Sequence, residues 1–166
     1  MTQRSLDPFE RAFQPSDVAT FAELVQGISG QRISRWRETY AQGIVIDCGE
    51  LVPKSSSIPR AVADRGEWVI STWGCDILFR ERPETPLVSS FEQLKAFLAG
   101  LVGHPLVQIS IASEDLSLTA VFAGGAAIVL QTDRDDPGLD QWFITTPAGD
   151  SIGVSASGKW YLRSQE

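Results

Sequence analysis

The chain has 166 residues, of which 43% are hydrophobic and 21% are charged, and its formal net charge at pH 7 is −7. This length and composition are typical of one globular domain, or of two small halves that share a core. The negative charge disfavours nucleic acid as a partner, because such binding needs clustered Lys and Arg. It favours a basic protein partner, although the same charge also serves solubility.

The sequence lacks the patterns of a membrane helix, a secretory signal and a metal site, and these absences give the predictions on location and cofactors. No apolar run approaches the roughly 20 residues of a membrane helix, and the first residues lack the apolar core of a secretory signal, so we predict a cytoplasmic protein without membrane contact. Cys48 and Cys75 are interpreted as small packing residues rather than as a disulfide. A metal site with His104, the single histidine, has no supporting ligand spacing, so no metal or cofactor is predicted.

The first residues predict an arm followed by a helix. Residues 1–15 mix charge, proline and aromatic side chains, which is typical of an arm with little structure of its own. Phe9 and Phe13 are expected to pack onto the body from one side of a helical turn. Ser16 is a predicted N-cap, and apolar residues at helical spacing predict a helix over residues 17–26.

The stretch Arg65 to Arg80 carries the strongest strand signal in the chain. It predicts two strands that meet at Gly74, with Trp68 and Trp73 on opposite faces of the first strand. Core packing is expected for both tryptophans, and an exposed tryptophan that anchors a partner is the alternative. The preceding segments are predicted as strands at residues 33–40, 44–48 and 50–52, with Gly49 as a break, and as a Ser/Pro loop at residues 54–64.

The pattern restarts after a polar connector at residues 81–86. Ser89 and Glu92 form a predicted capping box, followed by a helix with an apolar face that ends near Leu101. The remaining predicted strands are residues 106–111, 116–122, 126–130, the stretch around Trp142, and residues 150–154 and 159–163.

Several residues recur in register between the two parts of the chain. The predicted equivalences are Trp68 with Trp142, Ile70 with Ile144, Thr72 with Thr146, Asp76 with Asp150, Phe21 with Phe91 and Leu24 with Leu94. This recurrence predicts an α+β fold of two pseudo-repeated halves, each a short helix packed on its own antiparallel β-sheet. The predicted organisation is one compact domain with an arm at residues 1–15, a first half at 16–82 and a second half at 83–166.

Catalytic motifs are not found in the sequence, so no catalytic residue is predicted and the protein is not expected to be an enzyme. An unfamiliar enzyme that pairs His104 with a nearby acid is the remaining catalytic possibility. Arg32, Arg35 and Arg37 form a basic spot beside Trp36; a solvated strand face over a core tryptophan is favoured over an anion or RNA contact.

Residues 133–140 form the most acidic segment of the chain. A calcium loop is disfavoured because the distal bidentate Glu is absent and Pro137 interrupts the ligand pattern. A solvated hairpin loop is the plain interpretation, and a contact surface for a basic partner is the functional one. The candidate partner-binding residues are Asp133, Asp135, Asp136 and Asp140, with the Ser/Pro loop as second choice.

The sequence contains a set of glycine, tryptophan and turn residues: Arg65-Gly66-Glu67-Trp68, Gly74-Cys75, Gly103-His104-Pro105, Asp115 to Leu118, Gly124-Gly125, Trp142 and Pro147 to Gly149. This set resembles an uncharacterised family of small bacterial proteins, often encoded as immunity genes near polymorphic toxins. After its Gly-Cys pair that family tends to show a tryptophan and an arginine, whereas here residues 76–78 precede Phe79 and Arg80. The resemblance implies no catalytic residue.

Charge, motif content and resemblance together predict a non-catalytic binding protein. The expected form is a bacterial immunity protein that neutralises a cognate toxin, with a basic toxin domain as partner. The alternative is a structural or adaptor module that associates with itself or with another protein through a strand edge or an aromatic patch.

Overall fold

The computed structural model describes residues 7–39, 42–52, 65–132 and 138–164. The predicted Ser/Pro loop and three of the four candidate aspartates, Asp133, Asp135 and Asp136, lie outside the described residues.

The fold is α+β and mostly sheet, as predicted, with two α-helices, one 3₁₀ turn and eleven strands in the described residues. The elements are β1 (Phe9–Arg11), α1 (Asp17–Leu24), the 3₁₀ turn (Gln26–Ile28), β2 (Ile33–Glu38), β3 (Ile44–Val52), β4 (Arg65–Thr72), β5 (Asp76–Arg80), α2 (Phe91–Leu101), β6 (Leu106–Ile111), β7 (Leu118–Phe122), β8 (Ala127–Gln131), β9 (Trp142–Thr145), β10 (Ser151–Val154) and β11 (Trp160–Arg163).

The strands form two antiparallel sheets. The large sheet has seven strands in the order β1-β11-β10-β9-β4-β3-β2, and the small sheet has four in the order β5-β8-β7-β6. One row of paired residues crosses the whole large sheet on a single face. That row consists of Trp36, Ile46, Ile70, Ile144, Ile152, Leu162 and Phe9.

The two sheets pack face to face around this row. Ile46 and Ile70 of the large sheet line the same small apolar gap as Leu118, Ala120 and Ile128 of the small sheet. Strand β7 alternates buried and half-buried residues, as its sequence predicts. Alternation of this kind buries one face of each sheet and thereby forms a common core.

Both helices contribute apolar side chains to this core. The ring of Phe21 in α1 lies 6.1 Å from that of Trp142, and the ring of Phe97 in α2 lies 4.7 Å from that of Phe79. Helix α2 is confirmed with its predicted end at Leu101, whereas α1 ends at Leu24 and continues as the 3₁₀ turn.

The predicted helix caps differ from those observed. Ser16 has helical dihedral angles and makes no side-chain cap, and the carboxylate of Asp17 accepts from the N–H of Gln14, which precedes the helix, at 2.9 Å. At α2 the cap is Ser90 rather than Ser89, because Ser90 is extended and its hydroxyl accepts from the Gln93 N–H at 3.3 Å.

Two strands are exchanged between the sheets. Strand β5, which follows β2, β3 and β4 in the chain, joins the sheet of β6, β7 and β8, and β9, which follows those three strands, joins the sheet of β2, β3 and β4. Strand β5 pairs with β8, and β9 pairs with β4, so Gly74 lies on a crossing between sheets and not in a hairpin. Ile70 and Ile144, predicted as equivalent, are direct partners on neighbouring strands. The predicted arrangement, in which each half keeps its own sheet, is therefore wrong, and the pseudo-repeat is not confirmed.

The sheets are joined where β2 and β6 begin. Gly30 and Gly103, each with φ of +88°, lie at matching positions and permit the turn into the strand. The backbone hydrogen bonds there come in two matching pairs. The Gly30 N–H donates to the Leu106 C=O (2.6 Å), and the Gly103 N–H donates to the Ile33 C=O (2.8 Å). In the second pair, the Ile33 N–H donates to the His104 C=O (3.0 Å), and the Leu106 N–H donates to the Gln31 C=O (2.7 Å).

The described part of the N-terminal arm contributes strand β1 to the large sheet. Its ring-packing prediction is confirmed, since the rings of Phe9 and Phe13 lie 4.6 and 5.1 Å from that of Trp160. The predicted helical turn is wrong, because Phe9 lies in β1 and pairs with Leu162. Gly49, a predicted strand break, is a bulge with φ of +83° inside the continuous strand β3.

Asp17→Asn is expected to destabilise the fold by about 1–3 kcal/mol at pH 7, since Asp17 is buried and both its oxygens accept from Arg11 at 2.9 Å. Burial raises the pKa of Asp17, but the Gln14 N–H and the Arg11 guanidinium outweigh it and lower this pKa below its ordinary value. The stabilisation is therefore present above the unfolded pKa and is lost as pH falls through the folded one. Urea unfolding between pH 7 and about pH 3 should show the two proteins converging; a constant difference would contradict the prediction.

Gly153→Ala is expected to destabilise the fold by about 1–3 kcal/mol. A Cβ at Gly153 would lie 2.4 Å from the Trp142 carbonyl oxygen, which is backbone and cannot move aside cheaply. The matched control is Gly100→Ala in α2, where a Cβ meets nothing within 4 Å and a gain of about 0.5–1 kcal/mol is expected. Equilibrium urea unfolding measures both, and equal free energies of unfolding for the two variants would contradict this account.

Candidate functional site

The candidate site is one end of the molecule, which we call the Trp73 end. It consists of Trp73 and Gly74 on the crossing after β4, Asp115, residues 138–141 before β9 and residues 155–158 between β10 and β11. Backbone hydrogen bonds and a shared cavity bring these segments together.

Trp73 is 45% exposed, whereas Trp68 in strand β4 is 6% exposed. The prediction of core packing is thus confirmed for Trp68 and wrong for Trp73. Strand β4 ends at Thr72, and Trp73 already lies on the chain crossing. The Trp73 N–H donates to the Gln141 C=O and the Gly74 N–H donates to the Asp140 C=O, both at 3.0 Å. These two bonds fix the backbone that carries the exposed ring.

Asp140, the one candidate aspartate in the described residues, is already paired. Its Oδ2 lies 3.1 Å from Arg163 Nη1 and accepts from the Tyr161 hydroxyl at 3.2 Å. The Arg163 guanidinium also lies 3.8 Å from the centre of the Tyr161 ring. Burial, and then the Asp140 carboxylate, raise the pKa of Tyr161. Asp140 thus links β11 to the segment before β9.

A cavity of about 230 Å³ opens at the Trp73 end. The Asp115 Oδ1 accepts from the Ser117 N–H at 2.9 Å, and the Thr132 hydroxyl donates to the Asp115 C=O at 2.5 Å. The first bond orients the Asp115 carboxylate, and the second holds the Asp115 backbone. The described lining residues are Asp115, Leu116, Thr132, Gln141, Val154, Ala156, Ser157 and Gly158.

Leu116 forms part of the cavity wall in a left-handed conformation, with φ of +62°. This conformation is uncommon for a bulky residue and is held by the surrounding structure. The Leu116 N–H donates to the Ala112 C=O, and its own C=O accepts from Trp142 Nε1, both at 2.9 Å. The sequence predicts a turn at Glu114 and Asp115, but it carries no signal for a left-handed leucine.

Two arginines of the basic spot, Arg35 and Arg37 on β2, face a buried acid. Asp47 is 0% exposed, with its Oδ2 at 2.8 Å from Arg35 Nε and 3.6 Å from Arg37 Nε. Its Oδ1 accepts from the Gly66 N–H at 2.8 Å. Trp36 packs against the core, as the favoured interpretation predicts. Arg35 and Arg37 therefore hold a buried carboxylate of the same sheet.

The other candidate groups for chemistry lie apart from the cavity. His104 is exposed and is not among the cavity residues. Cys48 and Cys75 are free thiols, and burial raises the pKa of each to about 12, so both stay protonated at neutral pH. Within the described residues, no group of three or more His, Cys, Asp and Glu side chains is placed to hold a metal ion.

Neither helix in the described part of the chain has the length and apolar character that crossing a membrane requires. Comparisons with protein-family models, curated proteins and solved structures find no match.

The residues that carry the family resemblance have structural roles. A Cβ at Gly66 would lie 2.7 Å from the Cys48 backbone nitrogen, so the close approach of β4 and β3 needs glycine. Arg65 Nη2 donates to the Pro147 C=O at 3.4 Å, and Gly149 has φ of +93° in the adjoining turn. The resemblance therefore rests on residues that shape the sheet and its turns.

Proposed function

We propose that the protein is a non-catalytic binding protein that captures a basic protein partner at the Trp73 end. The observation that carries the proposal is the exposure of Trp73 on a backbone fixed by two hydrogen bonds. Exposing a tryptophan forgoes apolar burial, whereas a tryptophan on a rigid support is a frequent anchor in protein interfaces.

Charge supports a basic partner. The chain carries a net charge of −7, and the exposed or half-buried acids Asp76, Glu114 and Asp115 lie at or near the Trp73 end. Three further aspartates, at positions 133, 135 and 136, occur in the sequence between Thr132 of the cavity wall and Gly138. Such a charge distribution accelerates encounter with a positively charged surface.

The specific form of the proposal is an immunity protein that binds and neutralises a toxin in the cytoplasm. Its support is the resemblance of the glycine, tryptophan and turn residues to proteins of that kind. No reaction is needed for such a role, because occupying the toxin's functional surface is enough to inhibit it.

The proposal includes a doubled architecture, with an arm at residues 1–15 and halves at 16–82 and 83–166. The reciprocal hydrogen bonds at Gly30 and Gly103 support it, as does the order of helix, three-stranded meander and exchanged strand in both parts. The matching positions are then Phe21 with Leu94 and Val25 with Leu98, all buried, rather than the predicted Phe21 with Phe91 and Leu24 with Leu94.

Trp73→Ala is expected to weaken binding to the product of the adjacent gene by about 30-fold or more, as for a central interface residue. Its melting temperature should remain close to that of the unchanged protein, because the ring is exposed. Isothermal titration calorimetry and a thermal melt measure the two quantities.

The control for this experiment is Val102→Ala, since Val102 is 44% exposed but lies beside Gly103, at the junction of the sheets. Its affinity should change less than about threefold. An adjacent gene product that does not bind, or one that binds Trp73→Ala as tightly as the unchanged protein, would contradict the proposal.

The second candidate function is a self-associating module, and strand β6 supports it. Within the described part of the chain, β6 is an outermost strand of the small sheet, and it contains no charged residue and no proline. Val107 on it is 54% exposed. The outermost strand β2 carries Arg35, Arg37 and Glu38, charges of the kind that protect an edge from pairing.

If β6 pairs with β6 of a second copy, Val107→Lys should abolish the dimer, because it places like charges near the two-fold axis. Light scattering over a range of protein concentrations measures the mass, and Val18→Lys in α1 serves as the control for an added surface charge. A monomer at every concentration would remove this candidate.

A further inference from the structure

We propose that the cavity at the Trp73 end receives one lysine or arginine side chain of the partner protein, with the Asp115 carboxylate as its counter-ion. This inference rests on the proposed function and specifies how the basic partner is recognised.

The size of the cavity fits a single side chain. Its volume of about 230 Å³ is below the roughly 300–1,000 Å³ of sites for drug-sized molecules and cofactors. It is also several times the roughly 30 Å³ that one water occupies in the liquid. The space is therefore suited to a long amino-acid side chain that displaces a few waters.

The wall is rich in hydrogen-bond acceptors and contains one formal negative charge. The Asp115 carboxylate supplies that charge, and the hydroxyls of Thr132 and Ser157 add acceptor oxygens. Among the described lining residues there is no Lys, Arg or His. A cationic group with several N–H donors complements this wall, whereas an anion would meet the carboxylate and be repelled.

The remaining wall is apolar. Leu116, Val154 and Ala156 offer aliphatic surface, and the methylene stem of Lys or Arg can pack on such surface while its charged head reaches an acceptor. This combination of an aliphatic wall and a carboxylate favours a long cationic side chain over a small hydrated cation.

The counter-ion is held in place before the partner arrives. The Ser117 N–H fixes the Asp115 carboxylate, and the bond from Trp142 Nε1 fixes the Leu116 carbonyl next to it. A pre-oriented carboxylate saves the entropy that a mobile side chain would lose on binding. The left-handed Leu116 belongs to this arrangement, since it turns the chain between Asp115 and β7.

The cavity and the exposed tryptophan belong to one surface. Gln141 lines the cavity, and its carbonyl accepts the N–H of Trp73. A partner that covers Trp73 is therefore close enough to place a neighbouring side chain in the cavity. Aromatic anchors beside a filled, water-excluding pocket are the usual centre of a tight interface.

The test is Asp115→Asn, measured by calorimetry against the adjacent gene product. Asparagine keeps the acceptor for the Ser117 N–H but removes the charge, so a thermal melt should show an intact fold. Affinity should fall by about 30-fold or more, because the partner's cation would be left buried without a counter-ion. The matched control is Asp7→Asn, the same change at an exposed acid that precedes β1 and is not among the described lining residues of the cavity; its effect should stay below about threefold.

The results separate this inference from the proposed function. If Trp73→Ala weakens binding and Asp115→Asn does not, or if Asp115→Asn and Asp7→Asn weaken it equally, the inference is wrong and the proposed function stands. If the adjacent gene product does not bind at all, the proposed function falls with the inference.

A second measurement distinguishes a partner's side chain from a free small molecule. NMR titration with N-acetyl-arginine amide should give weak, millimolar shifts at the amides of Asp115, Leu116 and Ser157, and these shifts should be absent in Asp115→Asn. Micromolar binding of free arginine would show that the cavity serves a soluble metabolite and would overturn the inference.

Discussion

Burial of two sheet faces against each other is the constraint on which the rest of the structure depends. The apolar row from Trp36 to Phe9 crosses all seven strands of the large sheet, and four residues of the small sheet, Ile109, Ala120, Ile128 and Phe79, form the matching row. Each large side chain buried in this way contributes about 1.5–3 kcal/mol. Neither sheet could bury its inner face without the other, so the two sheets form a single stability unit.

The Trp73 end is a consequence of how the strands are divided between the two sheets. To complete the small sheet, the chain must leave the large sheet after Thr72 and cross to β5, and Trp73 lies on that crossing. The segment before β9 runs beside it and supplies the carbonyls that fix its backbone. The strand exchange thus leaves Trp73 exposed on a fixed backbone, next to the cavity.

Local sequence patterns predicted the elements well but did not predict their partners. The helical spacing of α2 and the alternation in β7 depend on neighbours along the chain, and both elements occur where predicted. The choice of sheet for β5 and β9 depends on contacts with distant residues, which periodicity does not encode. The recurring Trp, Ile and Thr residues predicted separate sheets, whereas Ile70 and Ile144 pair with each other across one sheet.

The candidate site was predictable only in part, for a similar reason. The acidic character of the region was visible in the sequence, but Asp140 is taken up by Arg163 and Tyr161, which are distant in the chain. The sequence around Asp115 predicts only a turn. The cavity that Asp115 lines is formed by segments from four places in the sequence, and no local pattern shows that these segments meet. The sequence leaves an exposed Trp73 open as the alternative, but it favours burial, because a tryptophan in a strongly apolar stretch is more often buried.

The exchange of the fourth strands also determines how the chain acquires its structure during synthesis. Strand β4 emerges from the ribosome with one edge open, and its partner β9 follows only after α2 and four further strands have been made. The first part of the chain therefore cannot close its sheet early, and the edge of β4 stays open until the last third of the protein appears. Pairing over such sequence separations is slow and exposes edges to association, so the edge of β4 is the place where an incomplete chain would associate.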